Sequence, residues 1–108
     1  MEPLADITVT APNADWLTAL TRQLVEQRLV ACGNVIPGVR STYRWSGKIE
    51  QAMEAVVLFH TRAALVPQVI AAVEAQHPYD TPQIVALPVL AVSHAYHQWV
   101  LDSTEPFA

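Results

Sequence analysis

The sequence predicts an α+β fold in which a four-stranded antiparallel sheet carries two helices on one face. Two observations lead to this prediction. Strand-like and helix-like segments follow the order βαββαβ, and prolines fall inside only the second and fourth strand segments. Two right-handed βαβ crossovers place both helices on the same face, which defines the ferredoxin-like arrangement. A last helical segment follows the fourth strand, so we expect an additional C-terminal helix.

The first strand and the first helix are predicted from two different periodicities. The segment ADITVTAP alternates apolar with polar residues and stops at Pro12, which is typical of a strand. Asn13 or Asp15 can cap the helix that follows. Leucines then recur at helical spacing, so this helix should run to about Arg28.

The middle of the chain predicts a long β-hairpin. Residues 31–45 are rich in β-branched and aromatic side chains, and Ser46-Gly47 is a turn signal before a second strand-like run. A straight strand over residues 31–45 would span roughly 50 Å at about 3.3 Å per residue. A compact chain of this length is only about 30–35 Å across. We therefore expect Pro37-Gly38 to bend the strand and the hairpin tip to protrude.

The second half of the chain predicts a helix, a strand and a short helix. Pro67 fits only in the first turn of a helix, so the second helix should begin near Ala64 or Leu65. The fourth strand is predicted over residues 83–92, and the last helix from about His94. The packing face of this last helix is predicted to comprise Tyr96, Trp99 and Val100.

The positions of the prolines predict which strands lie at the edges of the sheet. Proline has no N–H to donate to a ladder, so it is confined to edge strands and bulges. Pro37 and Pro88 therefore assign the second and fourth strands to the edges and the first and third to the centre. The fourth segment, QIVALPVLAV, is long, apolar and uncharged, so its edge needs a cover. A second copy of the same chain is the simplest cover.

Composition indicates one domain over residues 1–108 that associates with another chain. Hydrophobic residues make up 52% and charged residues only 15%, below the usual quarter, which favours a surface hidden against a partner. The net charge is −4 and no basic run occurs, so no nucleic-acid partner is expected. The single cysteine, Cys32, excludes an internal disulfide and suits a reducing compartment. With no signal-peptide pattern or membrane-length apolar run, we expect a cytoplasmic protein without a membrane partner.

Three motifs together resemble one known family. They are A-C-x-N-x-I-P-G at 31–38, Y-x-W-x-G-K-[IL]-E at 43–50 and H-P-Y-x-x-P at 77–82. In combination, across residues 7–101, the chain resembles the CutA family of divalent-cation tolerance proteins. The resemblance implies a ferredoxin-like subunit in a homotrimer, with edge strands and hairpins paired between subunits. It also implies a role in metal tolerance, with copper or another divalent cation as candidate ligand, and no settled enzymatic activity.

Cys32 and His77 are the candidate metal ligands. A thiolate at Cys32 suits Cu(I) or Zn(II), and the alternative is a small buried apolar residue. His77 ends the second helix, where it suits the negative end of the helix dipole, and the alternative is simple helix termination before Pro78. Some bacterial members of the family carry a cysteine where this chain has Val9, so a site with several thiols per subunit does not carry over. His94 and His97 can share a helix face as a further metal candidate, and the alternative is a solvated pair.

The hairpin tip and the loop after the second helix supply the candidate interface. Tyr43, Trp45, Lys48 and Glu50 can share one sheet face if the turn register permits. Aromatic side chains at a projecting tip are typical interface anchors. The alternative is a pocket between subunits with Lys48 and Glu50 as its polar members. The predicted set for this inter-subunit cleft is Tyr43, Trp45, Lys48, Glu50, Tyr79 and Pro88.

Three functions stay open. The first is a non-enzymatic homotrimer that responds to divalent metals. The second is a sensor like the trimeric PII signalling proteins, which share the architecture, with a small ligand between subunits and an unidentified protein partner. The third is an enzyme that uses His77 as a general base. No serine lies in a nucleophile elbow, TAPNAD lacks the Gly and Arg of an acylphosphatase loop, and no P-loop occurs, so no catalytic constellation is recognised.

Overall fold

The computed structural model describes residues 1–104 and shows an α+β fold. A four-stranded sheet and three helices account for this part of the chain, with a short 3-10 turn at Ala63–Leu65. The expected C-terminal helix is confirmed. The elements are β1 (Leu4–Ala11), α1 (Ala14–Glu26), β2 (Cys32–Trp45), β3 (Lys48–Arg62), α2 (Val66–Glu74), β4 (Ile84–Pro88) and α3 (His94–Ser103).

The sheet has the order β2-β3-β1-β4 and every neighbouring pair is antiparallel. The two strands without proline, β1 and β3, lie at the centre, and the two strands with proline lie at the edges, as predicted. The physical reason is that a central strand must donate N–H groups to a partner on each side, which a proline cannot do. On the far side of β4, no further strand follows within residues 1–104.

One face of the sheet carries α1 and α2 over the main core. Ile7, Val9, Val57 and Phe59 are fully buried there against leucines of α1 and against Val69 and Val73 of α2. Because side chains alternate along a strand, the residues between these core positions point to the opposite face. Both predicted helices therefore lie on one face, as expected.

The opposite face is only partly covered. The helix α3 packs over one end of it, where Val100 meets Leu4 and Ala31, and where Arg62 donates to the Thr104 hydroxyl at 3.0 Å. The rest of this face is left uncovered within residues 1–104. We define the open sheet face by the side chains that the pairing puts on it, namely Thr8, Ile36, Val56, Leu58, Val85 and Leu87.

The β2–β3 hairpin bends and protrudes, as predicted. Its ladder shifts register between Ile36 and Val39, with Gly38 at a φ of 73°, so Pro37-Gly38 forms a bulge. At the tip, Ser46 and Gly47 have positive φ values of 51° and 77° and connect the paired residues Trp45 and Lys48. Positive φ at both central residues is the hallmark of a type I′ turn, whose twist suits a hairpin. The longest dimension of the molecule is 46 Å.

The first two helices begin close to the predicted positions. Asn13, and not Asp15, caps α1, because its Oδ1 accepts from the Trp16 N–H at 2.8 Å. The helix ends at Glu26, before the predicted Arg28, since Arg28 has a left-handed φ of 61° that terminates helical geometry. Pro67 lies in the first turn of α2, as expected.

Two predictions about the last third of the chain are wrong in part. Strand β4 covers only residues 84–88 of the predicted 83–92, because the ladder with β1 ends where Pro88 stands opposite Ala5. Pro88 thus closes the strand. Within α3, Val100 is buried as predicted, but Tyr96 and Trp99 are 37% and 45% exposed.

His97 takes the packing role that was assigned to the aromatic residues of α3. It is buried, and its Nε2 lies 2.6 Å from the carbonyl oxygen of Glu2. The alternative that His94 and His97 form a solvated pair is therefore wrong for His97, which is buried, whereas His94 is exposed. The cause is the packing of α3 over the end of the sheet, which brings His97 against the Glu2 carbonyl oxygen. No helix within residues 1–104 is long and apolar enough to cross a membrane.

Candidate functional site

Three neighbouring strands align Asp6, His60 and Cys32 in one row across the sheet. Asp6 pairs with His60 on one side, and Cys32 pairs with His60 on the other. His60 Nδ1 lies 2.7 Å from Asp6 Oδ1, and its Nε2 lies 2.7 Å from Asn34 Oδ1. Both ring nitrogens of His60 are therefore engaged in hydrogen bonds, and with both oxygens as acceptors both nitrogens would donate. Turning the Asn34 amide would offer its NH₂ to a neutral ring, so the same partners serve either protonation state.

Cys32 lies at the rim of this row beneath α3. Its sulfur is 3.5 Å from the Tyr96 hydroxyl, and the Tyr96 ring stands edge-on to His60 at 6.2 Å. Burial, followed by the contact with Cys32, raises the pKa of Tyr96 well above its usual range, so this hydroxyl keeps its proton. Cys32 is half-buried on the side of the sheet that faces α3. It is therefore separate from the main core.

His77 joins the end of α2 to β1. Its Nε2 lies 2.8 Å from the Thr10 carbonyl oxygen, which can only accept, and its Nδ1 accepts from the Tyr79 N–H at 3.0 Å. These two bonds define a neutral ring with the proton on Nε2. The ring also contacts Trp16 and Tyr79 at centroid distances of 5.1 and 5.0 Å. A metal could bind this ring only by displacing one of its two hydrogen bonds.

The two predicted metal ligands lie at opposite ends of the sheet. Cys32 is level with Asp6 of β1, whereas His77 is bonded to Thr10. Four residues of strand separate these levels by about 13 Å. Across residues 1–104 of one chain, no three His, Cys, Asp or Glu side chains converge in a way that could hold a metal ion. The structure does not bring Cys32 and His77 together within one subunit.

The hairpin places its four predicted residues on one face. Tyr43 pairs with Glu50, and Trp45 pairs with Lys48, so all four side chains share that face, as the register condition required. Tyr43 and Trp45 line a groove of about 620 Å³ between the hairpin and the loop after α2. We call this the hairpin groove. Its lining is Thr10, 41–43, Trp45, Glu54, 78–81 and Gln83.

Glu54, which the sequence analysis missed, is the most deeply buried acidic residue of the hairpin groove. It is 9% exposed, and its Oε2 accepts from the Tyr79 hydroxyl at 2.8 Å. Burial first, and then the bond and the negative charge of Glu54, raise the pKa of Tyr79 to about 12. Lys48 and Glu50 lie outside the lining of this groove, and their predicted role in a pocket between subunits stays a prediction. The available signal was an acidic residue within the otherwise apolar run AMEAVVLF.

Comparison with known proteins identifies the family. A family model described as CutA1 divalent ion tolerance protein matches residues 6–103. The divalent-cation tolerance protein CutA of Thermus thermophilus is 36% identical over 98 residues, which are 91% of this chain and 95% of that protein. Human Protein CutA is 41% identical over 97 residues, which are 90% of this chain and 54% of that protein. The chain thus spans about half the length of the human relative.

A solved structure gives the same result for the fold. The periplasmic divalent cation tolerance protein CutA from Archaeoglobus fulgidus superposes with a TM-score of 0.91 at 32% sequence identity. The match covers 94% of this chain and 99% of that chain. Sequence motifs, family model and fold agree over the same residues. The chain therefore belongs to the CutA1 family of divalent ion tolerance proteins.

Proposed function

We propose that the chain acts as a non-enzymatic homotrimer in the cellular response to divalent metal ions. The observation that carries the proposal is the open sheet face of a CutA1 family member. Ile36, Val85 and Leu87 are 48%, 44% and 50% exposed on this one face. Large apolar side chains exposed on an uncovered sheet face favour an interface. The strand order β2-β3-β1-β4 is also that of the ferredoxin-like arrangement, which the family resemblance associates with trimers.

The edge of β4 adds to the argument for self-association. Within residues 1–104, β4 pairs only with β1, so its other side leaves backbone groups available to another chain. The protruding hairpin extends two long strands beyond the helices, where the tip of one copy can reach a neighbour. A trimer would cover the exposed Leu87, which a monomer leaves in water.

Light scattering with one matched pair of variants tests the trimer. Leu87→Glu puts a charge on the open sheet face and should dissociate the trimer at micromolar concentration. Val25→Glu puts the same charge at a 39%-exposed apolar position on α1, away from that face, and should leave the trimer intact. A stable monomer of the wild-type chain would sink the proposal.

Metal binding in this proposal depends on the assembled trimer. A tight site generally needs three or four thiolate, imidazole or carboxylate ligands, and one subunit supplies a single thiol. Threefold symmetry supplies three copies of each ligand. Copper is the candidate ion because a soft thiolate sulfur suits it. A chain with a single cysteine forms no internal disulfide and suits a reducing compartment, so we propose that it acts in the cytoplasm.

Copper titrations of the intact trimer test the ligands. Cys32→Ser and His77→Ala are compared with His94→Ala, which changes an exposed histidine. We expect Cys32→Ser to weaken binding at least tenfold and His94→Ala to leave it unchanged. Equal copper affinity in wild type, Cys32→Ser and His77→Ala would remove both residues as ligands.

The hairpin groove favours a second candidate function, a PII-like sensor that binds a small ligand. Its volume of about 620 Å³ lies in the range of small-molecule sites, and aromatic and polar side chains converge in it. Calorimetry of the trimer against copper, zinc and common nucleotides distinguishes the two functions. Nucleotide binding with no metal response would favour the sensor.

A further inference from the structure

Glu54 is a buried acidic residue that has no cationic partner among residues 1–104. Its side chain lines the hairpin groove, and its only polar partner in residues 1–104 is the neutral hydroxyl of Tyr79 on Oε2. The three ion pairs found within residues 1–104 involve other carboxylates. No bond to Oε1 is found within residues 1–104, yet no side-chain oxygen there is both buried and unbonded, so Oε1 is open to the groove. Oε1 therefore remains available to a positively charged group that enters the groove.

The rest of the groove fits a cation as well. Trp45 is 57% exposed and Tyr43 is 43% exposed, so both rings are accessible to a ligand. Aromatic faces attract ammonium and guanidinium groups, and tryptophan does so best. Asp80 adds a second carboxylate, and no lysine, arginine or histidine lines the groove. Within one subunit an anionic ligand would find no positive partner in the groove, so a nucleotide would need cationic side chains of a neighbouring copy.

We propose that the hairpin groove binds an organic cation, specifically an aliphatic amine or guanidine. The charged nitrogen donates to Oε1 of Glu54 while the Tyr79 hydroxyl holds Oε2 and keeps the carboxylate in place. Trp45 covers the alkyl chain and the charge, and hydroxyls of Ser41, Thr42 and Thr81 accept from any second amino group. All these residues come from one chain, so the proposal does not rest on the trimer.

Calorimetry of the wild-type chain with a matched set of probes tests this ligand class. Cadaverine, pentanediol and glutarate share one carbon skeleton and present positive, neutral and negative ends. At constant ionic strength, cadaverine should bind, while pentanediol and glutarate should not. Equal binding of cadaverine and pentanediol, or no binding of cadaverine at millimolar concentration, would overturn the proposal.

Two charge-neutralising variants locate the site. Glu54→Gln keeps the side-chain shape and an oxygen that can accept from Tyr79, and it should weaken cadaverine binding at least tenfold. Glu74→Gln removes the same charge from an exposed position on α2 and should leave binding unchanged. Equal weakening by both variants would mean that cadaverine binds only through the net negative charge, which contradicts the proposal. Should Glu54→Gln fail to fold, Trp45→Leu at the exposed tip replaces it, again with at least a tenfold loss expected.

A neighbouring copy is the competing source of the positive charge. Light scattering of Glu54→Gln distinguishes an organic cation from a neighbouring copy as the source of the charge. The organic-cation proposal expects an unchanged oligomeric state. Dissociation of Glu54→Gln, together with no cadaverine binding by the wild type, would show that a basic side chain of another copy neutralises Glu54. That outcome would overturn the ligand proposal and leave the proposed trimer standing.

Discussion

His60 faces Cys32 directly across the β2–β3 ladder, yet both its ring nitrogens are bonded elsewhere, Nε2 to Asn34 and Nδ1 to Asp6. A thiol and an imidazole on adjacent strands are close enough to share a metal ion, but the lone pair that a metal needs is not available in this arrangement. The side chain of Asn34 thus decides whether His60 can act with Cys32.

Removing the Asn34 side chain should raise copper affinity. Asn34→Ala leaves Nε2 of His60 without its partner, so a neutral ring can coordinate a metal together with the Cys32 thiolate. Copper titration should show tighter binding by Asn34→Ala, and the gain should vanish in the Asn34→Ala, Cys32→Ser double variant. An unchanged affinity in the single variant would mean that His60 and Cys32 do not form a metal site.

Changing Pro88 should preserve the fold. Pro88 is exposed and ends β4 opposite Ala5, so Pro88→Val removes no packed side chain. We expect the free energy of unfolding to change by no more than about 0.5 kcal/mol, as for most surface substitutions. Urea denaturation and light scattering measure the two properties, and complete unfolding would show that the proline geometry is itself required.

Truncating the core under the helices should be severe. Phe59 is fully buried between the sheet and both helices, so Phe59→Ala should cost about 3–5 kcal/mol through lost burial and a cavity. Met53→Ala, at a 60%-exposed position on the same strand, is the control and should cost far less. Urea denaturation compares the two, and similar losses would contradict the assigned core.

The two residues of the hairpin turn should respond in opposite directions. Gly47 has a φ of 77° that disfavours a side chain, so Gly47→Ala should destabilise the chain by roughly 1–2 kcal/mol. Ser46 has a φ of 51°, so Ser46→Gly relieves the same conformational cost and should be neutral or stabilising. Thermal unfolding measures both, and destabilisation by Ser46→Gly with none by Gly47→Ala would argue against the type I′ turn.

Alkaline titration should distinguish Tyr79 from an ordinary tyrosine. Its pKa is raised from 10.0 to about 12, so the folded state holds a proton that the unfolded state releases earlier. The contribution of the protonated Tyr79 hydroxyl to the free energy of unfolding is therefore fully present below pH 10.0 and is lost as the pH rises towards about 12. Ultraviolet titration should show a tyrosine with a high pKa that returns towards its ordinary value in Glu54→Gln. Denaturation in Tyr79→Phe should lose less stability across the same pH window than in wild type.

The local features of the fold were predictable because they depend on neighbouring residues. The alternation around Ile7 and Val9, the helical spacing of the leucines in α1 and the turn at Ser46-Gly47 each act within a few positions. The positions of the prolines also predicted which strands lie at the edges of the sheet, since a missing N–H is tolerated only at an edge or a bulge. The extent of β4 was overestimated because its apolar run continues beyond Pro88, where only one further hydrogen bond, from the Val89 N–H to the Leu4 carbonyl oxygen, joins it to β1.

The sequence by itself determined the α+β class, the central and edge strands, the bent hairpin and the family motifs, because side-chain periodicity and backbone restrictions are local properties. Only the tertiary structure decided which polar groups meet. His97 is buried because α3 packs over the end of the sheet, and His60 meets Asn34 because the ladder has one particular register. Glu54 meets Tyr79 because the loop after α2 folds back over β3. Such contacts join residues far apart in the chain, and their partners are set by packing of whole elements, which no short stretch of sequence encodes.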